Sequence, residues 1–263
     1  MKCNRLFVLI LFSIVITGNI SGQASINFTD ENGLKQGKWI KKFENGNIFY
    51  KATFRNDKPV GEFIRYYISG KPISVLYYYE NSDSVDAVFY HPNEYLAAKG
   101  TYIGKKKEGE WIFYSSVEKD CVICRENYIN NLKEGKSIKY HLNGNIAEEL
   151  IYLNDIKQGE WIQYYTDGVI CIKSSYTNNR VDGRFETFHT NGKKEIIGTY
   201  INDVRNGEWI FFNKDGSHKR TINYHNGVAE NDKELIEEET KYLDMLEKNG
   251  GKIEDPEKKG VVW

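Results

Sequence analysis

An aromatic residue recurs about every 24 residues through most of this 263-residue chain, and this recurrence limits the folds that the chain can adopt. The eight positions are Phe54, Tyr78, Tyr102, Tyr128, Tyr152, Tyr176, Tyr200 and Tyr224. The period lengthens once, to 26 residues between Tyr102 and Tyr128. A fixed period of this size is typical of repeat architectures, in which one supersecondary unit is stacked many times and no unit is stable alone. The sequence therefore predicts a stacked array.

Residues 159–182 show the repeating unit most clearly. The unit opens on Gly159-Glu160-Trp161, passes through Asp167-Gly168, and continues with a second run of aromatic and β-branched residues that ends at Tyr176. Two such runs bounded by Asn, Asp and Gly are typical of a β-hairpin, in which an Asp-Gly or Asn-Gly pair supplies the positive φ angles of the turn. The chain is thus predicted to be all-β, an elongated array of about eight 24-residue antiparallel β-hairpins.

The triplet of glycine, charged residue and aromatic residue also marks the units that depart from the pattern. Gly135-Lys136-Ser137 keeps the glycine and loses the aromatic residue. Val85-Asp86-Ala87 stands at the expected place with nothing left of the triplet. The third repeat, around residues 85–94, is therefore degenerate.

The second strand of each unit alternates in polarity. Counting back from Tyr200, the residues on its side of the strand are Gly198, Ile196 and Lys194, as expected of a half-buried strand. Because adjacent strands lie about 4.8 Å apart, eight hairpins form a body on the order of 75 Å long. A single layer has little aliphatic core, so we expect large aromatic side chains between neighbouring units to supply much of the stability.

The N-terminal 24 residues have the composition of a secretory signal peptide. Lys2 and Arg5 precede an apolar run from Leu6 to Ile16, which is followed by a small, polar stretch. A membrane span needs about 17 to 25 apolar residues, more than this run offers, so we expect no membrane insertion once the peptide is cleaved. Residues 25–229 are then the repeat domain of an exported protein, periplasmic or extracellular in a bacterial envelope.

The C-terminal part of the chain changes pattern and charge. Residues 230–250 place apolar side chains at helical spacing and predict an α-helix that caps the far end of the sheet, since a covering helix protects an open edge. Residues 251–263 are expected to form a flexible tail. Without the signal peptide, 34 Lys and Arg residues stand against 37 Asp and Glu residues. No basic stripe is present, which argues against nucleic acid as a partner.

Several motifs resemble the MORN repeat (membrane occupation and recognition nexus), in the bacterial variant found in YwqK-type antitoxin components. The resemblance is carried by Gly159, Trp161, Tyr164, Tyr165 and Asp167-Gly168, and by the opening Asp30-x-x-Gly33-x-Lys35-Gln36-Gly37-x-Trp39. It covers residues 27–229. It implies a hairpin array used for binding, and it supplies no active site that could be transferred to this chain.

The recurring aromatic residues have two interpretations. They pack one repeat against the next, or they form a partly exposed stacking surface for a sugar, a lipid headgroup or a peptide, with Trp111, Trp161, Tyr164 and Trp209 as the candidate ligand-binding residues. Large aromatic side chains serve both purposes, so the sequence leaves both open.

Cys121 and Cys124 fall in the unit where the period lengthens. In an oxidising compartment such a pair could close a small disulfide over a bulge, and free thiols are the alternative. One Cys-x-x-Cys without a second pair is weak evidence for zinc.

Two further sets of polar residues recur at fixed positions of the repeat and raise the question of metal binding. His91, His141 and His189 occupy one place in alternate repeats, roughly 19 Å apart, which is too far for ligands that must approach a shared ion to about 2.1 Å. Pairs such as Asn178-Asn179 follow the recurring aromatic residue and are best explained as turn formers. We therefore predict no metal, no cofactor and no catalytic residue.

These patterns favour a non-enzymatic scaffold or binding protein of the bacterial envelope, a monomer that presents its hairpin array to a protein or a cell-surface ligand. The alternative, which the resemblance implies, is an antitoxin or immunity-type protein that neutralises a toxin partner.

We expect the mature protein to begin at or near Ser25, because the small residues before it suit a signal peptidase. Intact mass and N-terminal sequencing of the protein from a cell-envelope fraction would check this. Recovery of the full-length chain with Met1 from the cytoplasm would contradict it.

Overall fold

The computed structural model describes residues 25–230 and 241–245. Residues 1–24, 231–240 and 246–263 lie outside this part of the chain, so the predicted signal peptide, most of the predicted helix and the predicted tail stay predictions. Twenty strands occur in the described residues: β1 (Phe28–Thr29), β2 (Lys35–Lys42), β3 (Ile48–Arg55), β4 (Lys58–Tyr66), β5 (Pro72–Tyr78), β6 (Ser84–Tyr90), β7 (Leu96–Ile103), β8 (Lys106–Tyr114), β9 (Val122–Ile129), β10 (Leu132–Lys133), β11 (Gly135–Tyr140), β12 (Ile146–Leu153), β13 (Ile156–Tyr164), β14 (Ile170–Thr177), β15 (Arg180–Val181), β16 (Gly183–Phe188), β17 (Lys194–Ile201), β18 (Val204–Phe212), β19 (His218–His225) and β20 (Val228–Ala229).

The strands form one continuous antiparallel meander. Each long strand pairs with the long strand before it and the one after it, from β2 and β3 through to β18 and β19. The short strands β10 and β15 are the first parts of strands that resume as β11 and β16, because β9 pairs with both β10 and β11 and β14 pairs with both β15 and β16. The predicted all-β array of antiparallel hairpins is confirmed.

Two kinds of turn alternate along the meander. One is a two-residue turn with both residues at positive φ, as at Asn178 (51°) and Asn179 (67°) between β14 and β15. The other is a three-residue loop that contains the Asp-Gly or Asn-Gly pair, as between Tyr165 and Val169, whose N–H and C=O bond at 2.8 Å. In that loop Gly168 has a φ of 89° while Asp167 is not in the positive-φ region.

The turn chemistry inferred from the sequence is therefore half wrong. The Asn-Gly pairs do not supply two positive φ angles, and the Asn-Asn and Asn-Asp pairs do. Mirror-image two-residue turns suit the right-handed twist of paired strands, and Asn and Asp tolerate the left-handed region better than other residues with a Cβ.

The glycine of each triplet sits at a break in strand pairing. Between β12 and β13 the pairing Leu150 to Trp161 shifts to Tyr152 to Lys157, so β13 has extra residues there. Gly159 lies within them with a φ of 84°, which a residue with a Cβ rarely adopts. Bulges of this kind bend a strand and increase its twist, and here the bend lies just ahead of the indole.

One face of the sheet is apolar, and we call it the aromatic face; it carries Tyr102, Trp111, Trp161, Tyr200 and Trp209. The opposite face, which carries Lys38, Glu62, Glu110, Glu160 and their neighbours, is the reverse face. In β17 the residues Ile196, Gly198 and Tyr200 are buried while Thr199 and Ile201 are exposed, as the alternation predicts. Lys194, which the alternation places on the buried side, is exposed because it begins the strand.

The helical residues 241–245 pack on the aromatic face. Leu243 is fully buried in the apolar cluster of the last repeats. Arg205 Nη2 in β18 lies 2.9 Å from Asp244 Oδ1, and Tyr242 Oη lies 3.2 Å from Glu195 Oε1 in β17. The described part of the predicted cap thus covers the face over β17 and β18, whereas the expected position was the sheet edge. Among the described residues no helix is long and apolar enough to cross a membrane.

Gly198 and Gly100 allow equally close approaches of an indole to the sheet backbone. A Cβ at Gly198 would lie 2.3 Å from the Trp209 ring, so the indole rests directly on the backbone of β17. We expect Gly198→Ala to lower the free energy of unfolding by about 1 to 3 kcal/mol, the usual effect of overpacking.

Urea unfolding would measure this change, with Thr199→Ala on the reverse face as the matched control, expected within about 0.5 kcal/mol of the parent. Equal stability of Gly198→Ala and the parent would show that the indole does not need this contact.

Candidate functional site

The tryptophans proposed as a stacking surface lie in the interior. Trp111 and Trp161 are 1% exposed and Trp209 is 0% exposed, while Tyr164 is half-buried. A ligand cannot stack on a ring that the protein already covers on both sides. The structure therefore corrects the alternative of an aromatic binding surface at the three tryptophans and favours packing there, and a binding role of Tyr164 stays a prediction.

The rings contact one another from repeat to repeat. The Trp209 ring centroid lies 5.0 Å from that of Tyr200 at an interplanar angle of 86°, and 5.7 Å from that of Phe185. Trp111 meets Tyr102 edge-on at 4.8 Å. Edge-to-face pairs at these distances stabilise by about 0.5 to 1.5 kcal/mol beyond the area that they bury.

Basic side chains lie against the same rings. Lys107 is buried, and its Nζ lies 4.9 Å from the Trp111 centroid and 4.7 Å from that of Tyr128. Lys157 lies in the same way over Tyr176, at 4.7 Å. A desolvated cation over an aromatic face stabilises by about 2 kcal/mol. Lys107 and Lys157 both lie two residues before the triplet glycine, so the side chain at this position belongs to the packing of the aromatic face.

A buried charged group replaces the missing aromatic residue of the fifth unit. Where Ser137 stands in the triplet, Lys133 Nζ lies 2.5 Å from Glu126 Oε1 and Lys139 Nζ lies 2.7 Å from Glu148 Oε1. Burial alone would raise the pKa of Glu148, but the Lys139 ammonium and side-chain hydrogen bonds outweigh it and the pKa is lowered. These ion pairs lie between the two apolar clusters of the array.

Cys121 and Cys124 are free thiols in the structure, as is Cys171. Three residues along an extended strand span roughly 10 Å, whereas the Cα atoms of a disulfide lie about 4.4 to 6.8 Å apart. The predicted disulfide therefore does not form. Burial, with a smaller effect of Glu126, raises the pKa of Cys124 to about 12, so this thiol is unreactive at neutral pH.

The histidine and asparagine registers join successive repeats. His91 Nε2 lies 3.2 Å from the Tyr114 carbonyl oxygen, and His141 Nε2 lies 2.9 Å from that of Tyr164. At the two-residue turns, at the other end of the strands from the three-residue loops, Asn179 Oδ1 accepts a hydrogen bond from the Lys157 N–H at 2.8 Å. Among residues 25–230 and 241–245 no group of three potential metal ligands occurs. Both registers are therefore accounted for by packing along the array.

An open groove of about 750 Å³ lies on the reverse face of β2 to β5. Ile40 and Ile64 contribute its apolar floor, and Lys38, Glu62 and Tyr77 lie among its polar lining. The groove is also lined by Lys51, Thr53, Arg55, Tyr79 and Glu80. Its size falls within the range of about 300 to 1,000 Å³ that small-molecule sites have.

Two exposed tyrosines form one wall of this groove. Tyr77 and Tyr79 are 45% and 44% exposed, and their ring centroids lie 4.9 Å apart at an interplanar angle of 67°. Tyr79 Oη donates to Asp86 Oδ2 at 2.6 Å, and this hydrogen bond raises the pKa of Tyr79. Asp86 also accepts from Thr101 Oγ1 at 2.9 Å. The ring of Tyr79 is therefore held in place from the next hairpin.

Sequence reasoning missed this groove, although a signal for it was present. At the position of Tyr77 the other repeats carry no aromatic residue; they have Thr53, Thr101, Asn127, Ile151, Ser175, Thr199 and Asn223. At the position of Tyr79 no other repeat carries a Tyr, Phe or Trp. The exposed pair adjoins the degenerate triplet, whose Asp86 holds Tyr79. Comparison of equivalent positions across the repeats would have identified it.

Five segments of the chain match the family model described as a MORN repeat variant: residues 35–56, 133–154, 157–178, 181–202 and 205–226. Each of these segments is similar to a MORN-variant repeat. Each runs from the strand that carries the triplet through the three-residue loop to the Asn-containing turn. Residues 57–132, which include much of the groove and the degenerate repeat, lie between the matched MORN segments.

No curated protein matches the chain. A solved structure described as "Crystal Structure of TcdB2-TccC3-Cdc42" is similar to it with 12% sequence identity and a TM-score of 0.23. The similar region covers 77% of this chain, and this chain spans only 13% of the length of that one.

The burial of the indoles leads to a test of packing against binding. We expect Trp161→Ala to lower the free energy of unfolding by about 3 to 5 kcal/mol, because truncation leaves a cavity in the middle of the array. Thermal and chemical unfolding would measure this.

Thr199→Ala on the reverse face is the control, expected to change stability by about 0.5 kcal/mol or less. If Trp161→Ala unfolded like the parent, the packing role of the indole would be wrong.

Proposed function

We propose that this protein is an exported, non-enzymatic scaffold that binds a ligand in the groove on the reverse face of its first hairpins. MORN repeats suggest a scaffold or binding role, and the groove supports a particular place for it. The observation that carries the proposal is the exposed Tyr77 and Tyr79 pair, fixed by Asp86 beside a cavity of ligand size. Exposed aromatic side chains with fixed rings are favoured at binding surfaces.

The division of the sheet into two faces supports this function. The aromatic face holds the repeats together, so its residues are committed to packing. On the reverse face the charged residues pair across strands in later repeats, as Arg125 does with Glu110 at 3.1 Å and Lys173 with Glu160 at 3.0 Å. Within the groove Arg55 pairs with Glu80, whereas the side chains of Lys38 and Glu62 make no such pair among the described residues, which leaves them available to a ligand.

The location and the kind of partner belong to the same proposal. The composition of residues 1–24 supports export to the bacterial envelope, where a protein or a surface component is the partner. The alternative function, neutralisation of a toxin as in YwqK-type antitoxin components, uses the same groove with a toxin as its occupant. Neither function requires a reaction, and family members are generally non-catalytic repeat scaffolds.

We expect Thr53→Arg to abolish ligand binding without loss of folding. Thr53 lies in the groove between Lys38 and Val60, and a long charged side chain there obstructs the cavity. The matched control is Thr199→Arg, the same change at the equivalent position of a repeat outside the groove.

The measurement is recovery of a cell-envelope component, identified by mass spectrometry, on immobilised parent and variants. Retention by the parent and Thr199→Arg with loss by Thr53→Arg is the expected result. Equal retention by all three would place binding elsewhere on the array, and a toxin as the retained component would favour the alternative function.

A further inference from the structure

We propose that the groove binds an uncharged oligosaccharide, with the Tyr77 ring as the stacking surface and Lys38 and Glu62 as hydrogen-bonding groups for its hydroxyls. This inference rests on the proposed function and adds the chemical class of the ligand. Four features of the groove lead to it: the fixed ring of Tyr77, the unpaired side chains of Glu62 and Lys38, the near balance of positive and negative charge, and the full pairing of the strands beneath.

The ring is suited to a sugar. Tyr77 is held against Tyr79, and Tyr79 is held by Asp86, so the ring is positioned before a ligand arrives. The face of an aromatic ring carries negative charge density, which attracts the weakly positive C–H groups on the flat side of a pyranose. Rings that are fixed in advance lose little conformational entropy on binding.

Glu62 lacks the cation that two of its equivalents have. Among the described residues Glu208, at the same triplet position, also pairs with no cation, since Thr221 stands at its diagonal position. Glu110 and Glu160, which occupy the same triplet position, pair diagonally with Arg125 and Lys173 on the following strand. In the second hairpin the corresponding residue is Val75, which cannot pair with a carboxylate. Glu62 therefore presents free acceptors to the groove. The side chain of Lys38, on the neighbouring side, makes no ion pair or hydrogen bond within the described residues, so its ammonium remains a free donor.

The balance of charge disfavours an ionic ligand. Lys38, Lys51 and Arg55 face Glu62 and Glu80 across the groove, and Arg55 Nη1 already lies 3.0 Å from Glu80 Oε2. The surplus is a single cation, so an anionic headgroup or a nucleic acid would gain little net attraction in the groove. A polyhydroxylated ligand uses donors and acceptors of both signs.

The strands beneath the groove disfavour an extended peptide. A peptide that adds to a sheet needs an unpaired strand edge. β3, β4 and β5 are paired on both sides. On the outer side of β2, the Ile40 N–H donates to Asn27 Oδ1 at 2.7 Å, and Asn27 Nδ2 donates to the Ile40 carbonyl at 3.0 Å. Side-chain contacts are what the groove offers, and oligosaccharides are recognised through such contacts.

The test is calorimetric titration of the mature protein with four neutral probes, cellotetraose, chitotetraose, maltotetraose and mannotetraose, and with inositol hexakisphosphate as an anionic probe. We expect one or more neutral probes to bind the parent. We expect Tyr77→Ala/Tyr79→Ala to weaken that binding by about tenfold or more, since the stacking ring and the ring that positions it are both lost.

The matched control is Ile151→Ala/Leu153→Ala, which truncates the equivalent exposed positions of another repeat and should leave binding unchanged. Glu62→Gln provides a second variant that keeps the shape of the side chain and should also weaken binding. Unfolding midpoints establish that each variant is folded, and the Glu62→Gln titration decides the matter if the double tyrosine variant is not.

Three results would overturn the inference: no neutral probe binds, the anionic probe alone binds, or the tyrosine and glutamate variants bind a neutral probe as well as the parent does. If an envelope protein is retained in the Thr53-dependent manner described above while no sugar binds, the ligand class is wrong and the proposed function stands. If a sugar binds equally to Thr53→Arg, the location of the site is wrong.

Discussion

A sheet without a second layer has to cover its apolar face with its own side chains, and this requirement shapes the whole molecule. Aliphatic residues standing upright on a twisted layer would leave their tips in water. Indoles and phenols that lie across neighbouring strands cover more surface, about 150 to 250 Å² for each ring. Trp111 and Trp209 show the extreme case, since each rests on the backbone of a glycine, Gly100 and Gly198. The triplet glycine bends its strand just before such a ring, so bulge and aromatic residue act together.

The repeats are also joined along the axis of the array by polar contacts at both ends of the strands. Histidine or tyrosine side chains bond the carbonyl group 23 residues later, as His189 Nε2 does with Phe212 and as Tyr165 Oη does in donating to Phe188. At the opposite turns Asn and Asp side chains accept hydrogen bonds from backbone N–H groups 22 residues earlier, as Asn179 does from Lys157 and Asp203 does from Val181. A unit in the middle of the array is thus held on both sides, which agrees with the expectation that single repeats are not stable alone.

Periodic features of the structure could be predicted from the sequence, and features that depend on local geometry could not. The hairpins, the buried face and the packing of the aromatic residues follow from periods of 24 and 2, and they are confirmed. Both sets of turns were placed correctly, but the pair of positive φ angles was assigned to the wrong set. Asn-Gly suits both a two-residue turn and the glycine position of a three-residue loop, and only the strand register decides between them. The disulfide failed because a spacing of three residues has a different length in a strand and in a turn.

The groove illustrates why a break in a repeat carries more functional information than the repeat itself. In two of the regular units the reverse-face carboxylate pairs with a cation on the next strand, as Glu110 does with Arg125 and Glu160 does with Lys173, so these groups are not available to a ligand. Where the third triplet is lost, Asp86 takes a different partner, Tyr79, and Val75 leaves Glu62 without a cation. Two departures from the repeat pattern, at Val75 and Asp86, thus leave a fixed ring and free polar groups on this part of the reverse face. The aromatic face tolerates this because the packing of Phe54 against Phe63 and of Phe63 against Tyr78 continues beneath the groove. Stability and binding therefore lie on opposite faces of the same strands, and one can change without the other.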